Sequence, residues 1–230
     1  MKQKRVVVTG MSAITPVGIG VEDTWKAMLA GRSGVKRITR FDVSDFPTQF
    51  AAEVTDFDPK NFMDFREAKR SARFTQFALA AAREAIQDSA LDLSKEDMTR
   101  VGLEIGTAIG GIDLIEEQAI TFHQKGLGRI NPTFVPLVIA NAAPCHIAIL
   151  LGIKGPTSSP VAACATGTVA IGQALCRLQS GEVDVMLAGG TECATSPLAL
   201  AAFSRLGALS TRNAEPEEAC RPFDAERDGT

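Results

Sequence analysis

Three short runs of β-branched and small apolar residues punctuate the chain: "RVVVTG" at 5–10, "VGLEIGTAIG" at 101–110 and "DVMLAGG" at 184–190. Between them lie segments with helical spacing. An apolar run of this length fits a strand covered on both faces, and the intervening helices supply the covers. The pattern predicts an α/β fold with a mainly parallel sheet. "TSSPVAA" at 157–163 is a further strand, set off by the turn signal Gly155-Pro156. "VEDTWKAMLAG" at 21–31 reads as a short helix closed by Gly31, and 33–61 as irregular, with β-like pieces such as "FAAEV". A long helix is expected from about Phe65 to Ser89, and two more at about 112–124 and 134–151. Another follows Cys164, with Gly181 in its C-cap position. The tail from Ser204 to Thr230 reads as a polar loop, and no repeat, low-complexity tract or linker divides the 230 residues.

Composition removes several classes of function. A formal net charge of −3 argues against a general nucleic-acid or anionic-membrane binder. Five cysteines without paired spacing do not make a secreted disulfide framework. With no C-x-x-C and two histidines, no zinc site is expected. The N-terminus "MKQKRVVVTGM" lacks the apolar stretch of a signal peptide. The least polar segment, "VIANAAPCHIAILLGI", is interrupted by Asn141, Pro144 and His146 and falls short of the roughly 18 apolar residues of a spanning helix. The expectation is a soluble protein of a reducing cytoplasm.

"PVAACATGTVAIGQAL", 160–175, places Cys164 where a strand gives way to a helix. The start of a helix offers partial positive charge and free N–H groups, which suit a reactive sulfur. Gly167, Gly172 and several alanines leave little bulk there, so backbone or a thin substrate can approach. The arrangement is that of a nucleophile elbow. A lone cysteine among alanines is more often a small core residue. Cys145, Cys176, Cys193 and Cys220 take that reading, whereas for Cys164 both stay open. A second signal lies in "FREAKRSARFTQFAL": on one continuous helix Arg66, Lys69, Arg70 and Arg73 share a face. A solvated stripe is the usual meaning. Cations crowding a helix N-terminus oppose its dipole, which suggests a reason for their presence.

Seven motifs in order, "RVVVTGMSAITPVG", "GTAIGG", "NPTFVP", "VAACATGTVAIG", "DVMLAGGTE", "ALSTRN" and "RPFDAERDG", span essentially the whole chain. Together they resemble the β-ketoacyl-acyl-carrier-protein synthases, the elongating condensing enzymes of fatty-acid synthesis, and most of all the type II synthases. The resemblance implies a thiolase-like fold of two similar α/β/α halves, with a mainly parallel mixed sheet. Residues 1–230 would be the N-terminal half, lacking the second. A fifth strand, antiparallel and seated between the fourth and the first, would begin just beyond Thr230. By the same resemblance Cys164 is the nucleophile that accepts an acyl group, and malonyl-carrier protein then loses carbon dioxide to give the attacking carbanion. Ile109 would line the acyl pocket, Phe203 would line it near the nucleophile, and Phe134 would reach into the partner subunit's pocket. Each of these alone is more often packing than ligand contact. Acyl-carrier protein is the implied partner, met by Arg66, Lys69 and Arg70, with Arg129 as a fourth. A homodimer is implied too, paired along the strand that leads to Cys164. No metal or organic cofactor is required.

The chain departs from the family at Ala162, usually threonine, at Val169, often histidine, and at Cys145, usually glycine, which follows an unusual Pro144. Two histidines and a lysine that complete such sites belong to the second half. His123 reads as helix surface, and His146 as a satisfied buried or helix-packing residue. A Rossmann dehydrogenase is excluded because Met11, Ser12, Ala13 and Ile14 follow Gly10 where the glycine fingerprint should run, and the chain has no tyrosine. A cysteine hydrolase lacks a histidine base with a supporting motif. A degradative thiolase carries different sequence around its cysteine. The remaining rival is a non-catalytic carrier-binding or dimerisation module.

Overall fold

The computed structural model describes residues 4–230. In chain order its elements are β1 (Ile14–Thr15), β2 (Gly18–Ile19), α1 (Val21–Leu29), β3 (Val35–Arg37), β4 (Phe50–Ala52), α2 (Phe65–Lys69), α3 (Arg73–Asp88), β5 (Val101–Gly106), α4 (Ile112–Lys125), α5 (Phe134–Val138), α6 (Ala142–Leu151), β6 (Thr157–Ser158), α7 (Thr166–Ser180), β7 (Val185–Gly190) and α8 (Pro197–Leu206). The chain divides into two compact units. One joins the residues up to Ser12 with Asp58–Cys193; the other joins Ala13–Phe57 with Ala194–Thr230.

The first unit holds a three-stranded parallel sheet in the order β6-β5-β7. Every residue of the central strand β5 is buried. Alternation sends Val101, Leu103 and Ile105 to one face and Gly102, Glu104 and Gly106 to the other. Glu104 and Gly106 meet α7, while α6 packs on β5 and on α3. On α3, Phe74, Phe77 and Ala78 are buried at spacings of three and four, which marks its inner stripe. Helix α7 stops at Gly181, whose φ of +79° a residue with a Cβ adopts only under strain.

The second unit contains two antiparallel pairs, β1–β2 and β3–β4. Ile38, Val43 and Leu200 form its core, with Phe41, Phe46, Ala51 and Leu209 packed around them. Ser196 caps α8 by accepting from Ala199 N (3.3 Å), and Gly207 (φ +73°) ends it. The polar tail is tied down rather than free. Buried Thr48 donates to Ser210 O (2.8 Å), and Asn213 bridges Gln49 N and Pro47 O (2.8 Å each). Among the described residues, no helix is long and apolar enough to cross a membrane.

Several expectations from sequence need correction. The run 5–10 forms no strand, and Val7 and Val8 are 65% and 78% exposed. A strand is made by its neighbour's hydrogen bonds, and this run finds none among the described residues. It is instead anchored at its end, where Met11 N donates to Asp88 Oδ2 (2.9 Å) and Ser12 Oγ to Glu84 Oε2 (2.6 Å). The run 184–190 does form β7, but as an edge strand half open to solvent rather than a buried one. The expected helix 65–89 is two helices. Between them Ser71 Oγ donates to Glu67 O (2.7 Å), and the Gln76 amide donates to Ala68 O (2.9 Å) and Ser71 O (3.2 Å). Side chains thus satisfy carbonyls that a continuous helix would have paired with backbone. The expected helix 134–151 is likewise split into α5 and α6. At the break Val138 O accepts from Gly111 N (3.2 Å), and Ala140 O from Ser159 Oγ (2.9 Å).

Candidate functional site

Cys164 stands, exposed, on a tight turn between β6 and α7. Ser158 is in register with Glu104, so β6 delivers the chain alongside the centre of the sheet. At Ala162 the backbone bends (φ −145°, ψ 39°), and Ala163 takes a left-handed φ of +48°. A 3-10 turn, Ala163–Ala165, then leads directly into α7. Ala163 is not glycine, so its conformation costs on the order of 1–3 kcal/mol. Thr166 holds it in place: its hydroxyl accepts from Ala162 N and donates to Ala163 O, each at 2.8 Å. A second tie runs from Ala165 N to Ala162 O (3.0 Å). The strain therefore sits next to the one cysteine predicted to react.

Three glycines let the turn settle onto the sheet. A Cβ on Gly106 would fall 2.3 Å from Pro160 O and 2.4 Å from Thr166 Cγ2. Gly190, at the end of β7, meets Gly167 of α7 so closely that a Cβ there would lie 3.1 Å from Gly167 Cα. The turn thus occupies the carboxyl end of parallel strands, where open α/β sheets place their sites. Gly172 faces open space, and the thin helix surface expected from the glycines and alanines is present.

Two arms of the turn are pinned from below by Glu104, whose carboxylate is fully buried. One oxygen accepts from Ser158 Oγ on β6; the other accepts from Arg177 Nε on α7 (2.7 Å). Arg177 also reaches Glu182 Oε1 (2.7 Å). This pin was missed by sequence reasoning. Its only trace is a carboxylate inside the apolar run "VGLEIG".

Ile109 lies in the loop that leaves β5, three residues beyond Gly106, and is 38% exposed. Its own strand thus carries it to the sheet end where the Cys164 turn sits. Phe134 opens α5 and is half-buried. The other end of α5 touches the same loop, through Gly111 N and Val138 O. Phe203 is 40% exposed on α8 and belongs to the second unit. Glu192, just past β7, is a further residue that the sequence did not single out. It accepts hydrogen bonds from Thr107 Oγ1 (3.1 Å), Ala108 N (2.8 Å) and Ile109 N (3.1 Å).

Arg66, Lys69 and Arg70 are exposed and Arg73 is half-buried, and they are not arranged as expected. Arg66 and Lys69 lie on the last turn of the short α2, Arg70 caps it, and Arg73 begins α3 with its guanidinium 4.9 Å from the Phe77 ring centre. The four do not share one helix face. Lys69 ends α2, where the dipole favours cations, while Arg66 is the second residue of that short helix and Arg73 the first of α3. The argument from dipole cost keeps only Arg66 and Arg73. Arg129, on a 3-10 turn, is exposed.

His123 is exposed near the end of α4, as expected. His146 is half-buried, and its Nε2 is buried without a hydrogen-bond partner, so it is not a satisfied residue. Burial holds its pKa below the ordinary histidine value; the Glu67 carboxylate opposes that shift, and the Arg83 guanidinium adds to it. The core reading of the other cysteines is also corrected. Cys145, Cys176 and Cys220 are exposed and Cys193 is partly so. Spacing among small residues does not report which face of a helix is covered.

A cleft of about 610 Å³ lies in the second unit, lined in part by Thr15, Gly18, Lys26, Arg32 and Lys36. None of the predicted site residues lines it.

The chain is similar to known proteins along its whole length. The sequence model of the family described as "Beta-ketoacyl synthase, N-terminal domain" matches residues 3–230. A protein of Coxiella burnetii named 3-oxoacyl-(acyl-carrier-protein) synthase 2 is 46% identical over 229 residues, covering 100% of this chain and 55% of the relative. A Synechocystis protein of the same name has the same identity and coverage. Among solved structures, a beta-ketoacyl synthase from Burkholderia phymatum superposes with a TM-score of 0.86 at 31% identity, over 98% of this chain and 56% of its own. A ketosynthase of a type II polyketide system, solved in complex with its acyl-carrier protein, gives 0.76 at 27% identity over 90% and 56%. The chain spans about half the length of the relatives it matches.

Proposed function

The chain belongs to the beta-ketoacyl synthase family, whose N-terminal domain it carries, and from that premise we propose that the protein is a 3-oxoacyl-acyl-carrier-protein synthase of fatty-acid elongation. The observation that carries the reading is an exposed cysteine on a strained strand-to-helix turn, at the carboxyl end of a parallel sheet. Cys164 attacks the acyl thioester of the carrier protein. Its sulfur bonds to the acyl carbon, and the carrier thiol leaves with the proton. A malonyl carrier then loses carbon dioxide, and the resulting carbanion attacks the acyl-enzyme. The Cys164 sulfur leaves as the 3-ketoacyl product forms on the carrier. Splitting transfer from condensation divides one difficult step into two easier ones.

Ile109 lines the acyl path in this reading, and Phe134 reaches into the acyl pocket of the partner subunit. Each keeps part of its side chain accessible, as a pocket wall requires. Acyl-carrier protein docks on Arg66, Lys69, Arg70 and Arg129, all exposed cations on a chain of net charge −3. The carrier-bound ketosynthase among the structural neighbours supports such a partner. Homodimerisation is supported by the open edge of β6 and by nearby apolar exposure: Val161 at 59%, Ile171 at 58% and Leu175 at 40%. Cytoplasmic residence is supported by five free cysteines.

The test is the intact mass of the protein after incubation with acyl-carrier protein. An acyl adduct is expected on the parent chain and on Cys176→Ala, and none on Cys164→Ala. Equal loss in both variants overturns the assignment. Carrier binding without any adduct would favour a docking module instead. Charge reversal of Arg66, Lys69 and Arg70 together should weaken carrier binding about tenfold and flatten its salt dependence. Unchanged binding would make those residues solvated surface.

A further inference from the structure

The loop that carries Ile109 is held in shape by one carboxylate. Thr107, Ala108 and Ile109 turn their donors toward Glu192: the Thr107 hydroxyl to Oε1 (3.1 Å), and the Ala108 and Ile109 N–H groups to Oε2 (2.8 and 3.1 Å). Cys193 N adds a fourth donor to Oε1 (3.3 Å). The Thr107 hydroxyl also accepts from Gly110 N (3.1 Å), so the carboxylate fixes both ends of the turn. Successive backbone N–H groups converging on one anion form a nest, and charge-assisted hydrogen bonds of this kind are about twice as strong as neutral ones. Gly110, at φ +78°, completes a turn whose backbone would otherwise be free to reorient.

We infer that Glu192 is a positioning residue for acyl-chain selection: by anchoring the Ile109 backbone it fixes how far the Ile109 side chain stands into the acyl path. The inference rests on the proposed synthase reading, and within it on Ile109 as a pocket wall. Glu192 touches no substrate. It sits two residues beyond Gly190, which itself abuts Gly167 beside the nucleophile turn. The strand that seats the turn therefore also sets the wall. Both carboxylate oxygens are used, so the amide of glutamine, with one acceptor and an NH2 group, can serve one side of the nest but not both.

The experiment compares Glu192→Gln, Glu192→Ala and Ile109→Ala with the parent in the full-length protein. It measures the rate of Cys164 acylation by carrier protein charged with a short and with a long saturated acyl chain. A merely structural loss slows both chains alike and leaves their ratio unmoved. The expected result is a shift of the long-to-short ratio toward longer chains by about fivefold in Glu192→Ala, with Glu192→Gln between it and the parent, and a similar shift in Ile109→Ala. If Ile109→Ala moves the ratio and neither Glu192 variant does, the inference about Glu192 is overturned while the pocket reading stands. If Ile109→Ala leaves the ratio unmoved, Ile109 is no pocket wall, and the inference falls with that reading.

Discussion

The two faces of β5 are both buried, yet they are built on different principles. On one face Val101, Leu103 and Ile105 are at most 7% exposed and supply apolar volume. On the other, glycines alternate with a glutamate: Gly102, Glu104 and Gly106 remove bulk so that backbone can approach, and spend one buried charge to fix the approach. The apolar face is forgiving, since hydrophobic packing is non-directional and tolerates volume-conserving change. The glycine–glutamate face is directional, and it is the one that carries the Cys164 turn. Stability and positioning are thus divided between alternate residues of a single strand.

Substitutions can break that division. The largest effect is expected from Glu104→Ala, which strips Ser158 of its partner and leaves Arg177 with Glu182 alone; losing two charge-assisted hydrogen bonds should cost about 3–5 kcal/mol. Leu103→Ala, on the opposite face, should cost a comparable 2–5 kcal/mol or so from the cavity it leaves. The two should part in function. Per folded molecule, Cys164 acylation should fall in Glu104→Ala and stay near the parent rate in Leu103→Ala. Denaturant titration with acylation kinetics checks both. Equal retention of activity would reduce Glu104 to a structural tie.

Gly106→Ala sharpens the comparison with a single methyl group. The new Cβ would press on Pro160 O and Thr166 Cγ2, so the turn must move. A stability loss of about 1–3 kcal/mol is expected, with a larger proportional loss of acylation. Acylation at the parent rate would show that the turn tolerates displacement.

The smallest effect lies away from this strand, at His146. Its folded-state pKa is depressed, so the neutral form is favoured in the fold. The unfolded chain then binds the proton more readily, and the stability this contributes is complete above an unfolded pKa of about 6.5. It is lost as pH falls from there through the folded value. The melting temperature of the parent should therefore drop more between neutral and mildly acidic pH than that of His146→Gln. Equal acid sensitivity would refute the assignment to His146.

Much of this was legible in the sequence because it depends on neighbours a few residues apart. Gly31 and Gly181 close their helices where expected, with φ of +64° and +79°. The apolar run at 101–106 is a fully buried strand, and the strand-to-helix turn at Cys164 is present. The failures share a cause as well. The break between α2 and α3 depends on what Ser71 and Gln76 do with free carbonyls, and the break before α6 depends on Gly111 and Ser159. Helical periodicity continues across both breaks, so spacing could not reveal them. The exposed Val7 and Val8 show the same limit, because a β-branched run becomes a strand only beside a partner.

The sequence by itself determined the α/β class, the family and the identity of the candidate nucleophile. Those follow from local pattern and from motifs that are contiguous in the chain. Tertiary structure alone decided which residues hold the Cys164 turn and its neighbouring loop. Glu104 finds Ser158 and Arg177 at separations of 54 and 73 residues, and Glu192 finds Ile109 across 83. A buried carboxylate must be met by donors, but which donors meet it is set by strand register and helix packing, which no local pattern encodes.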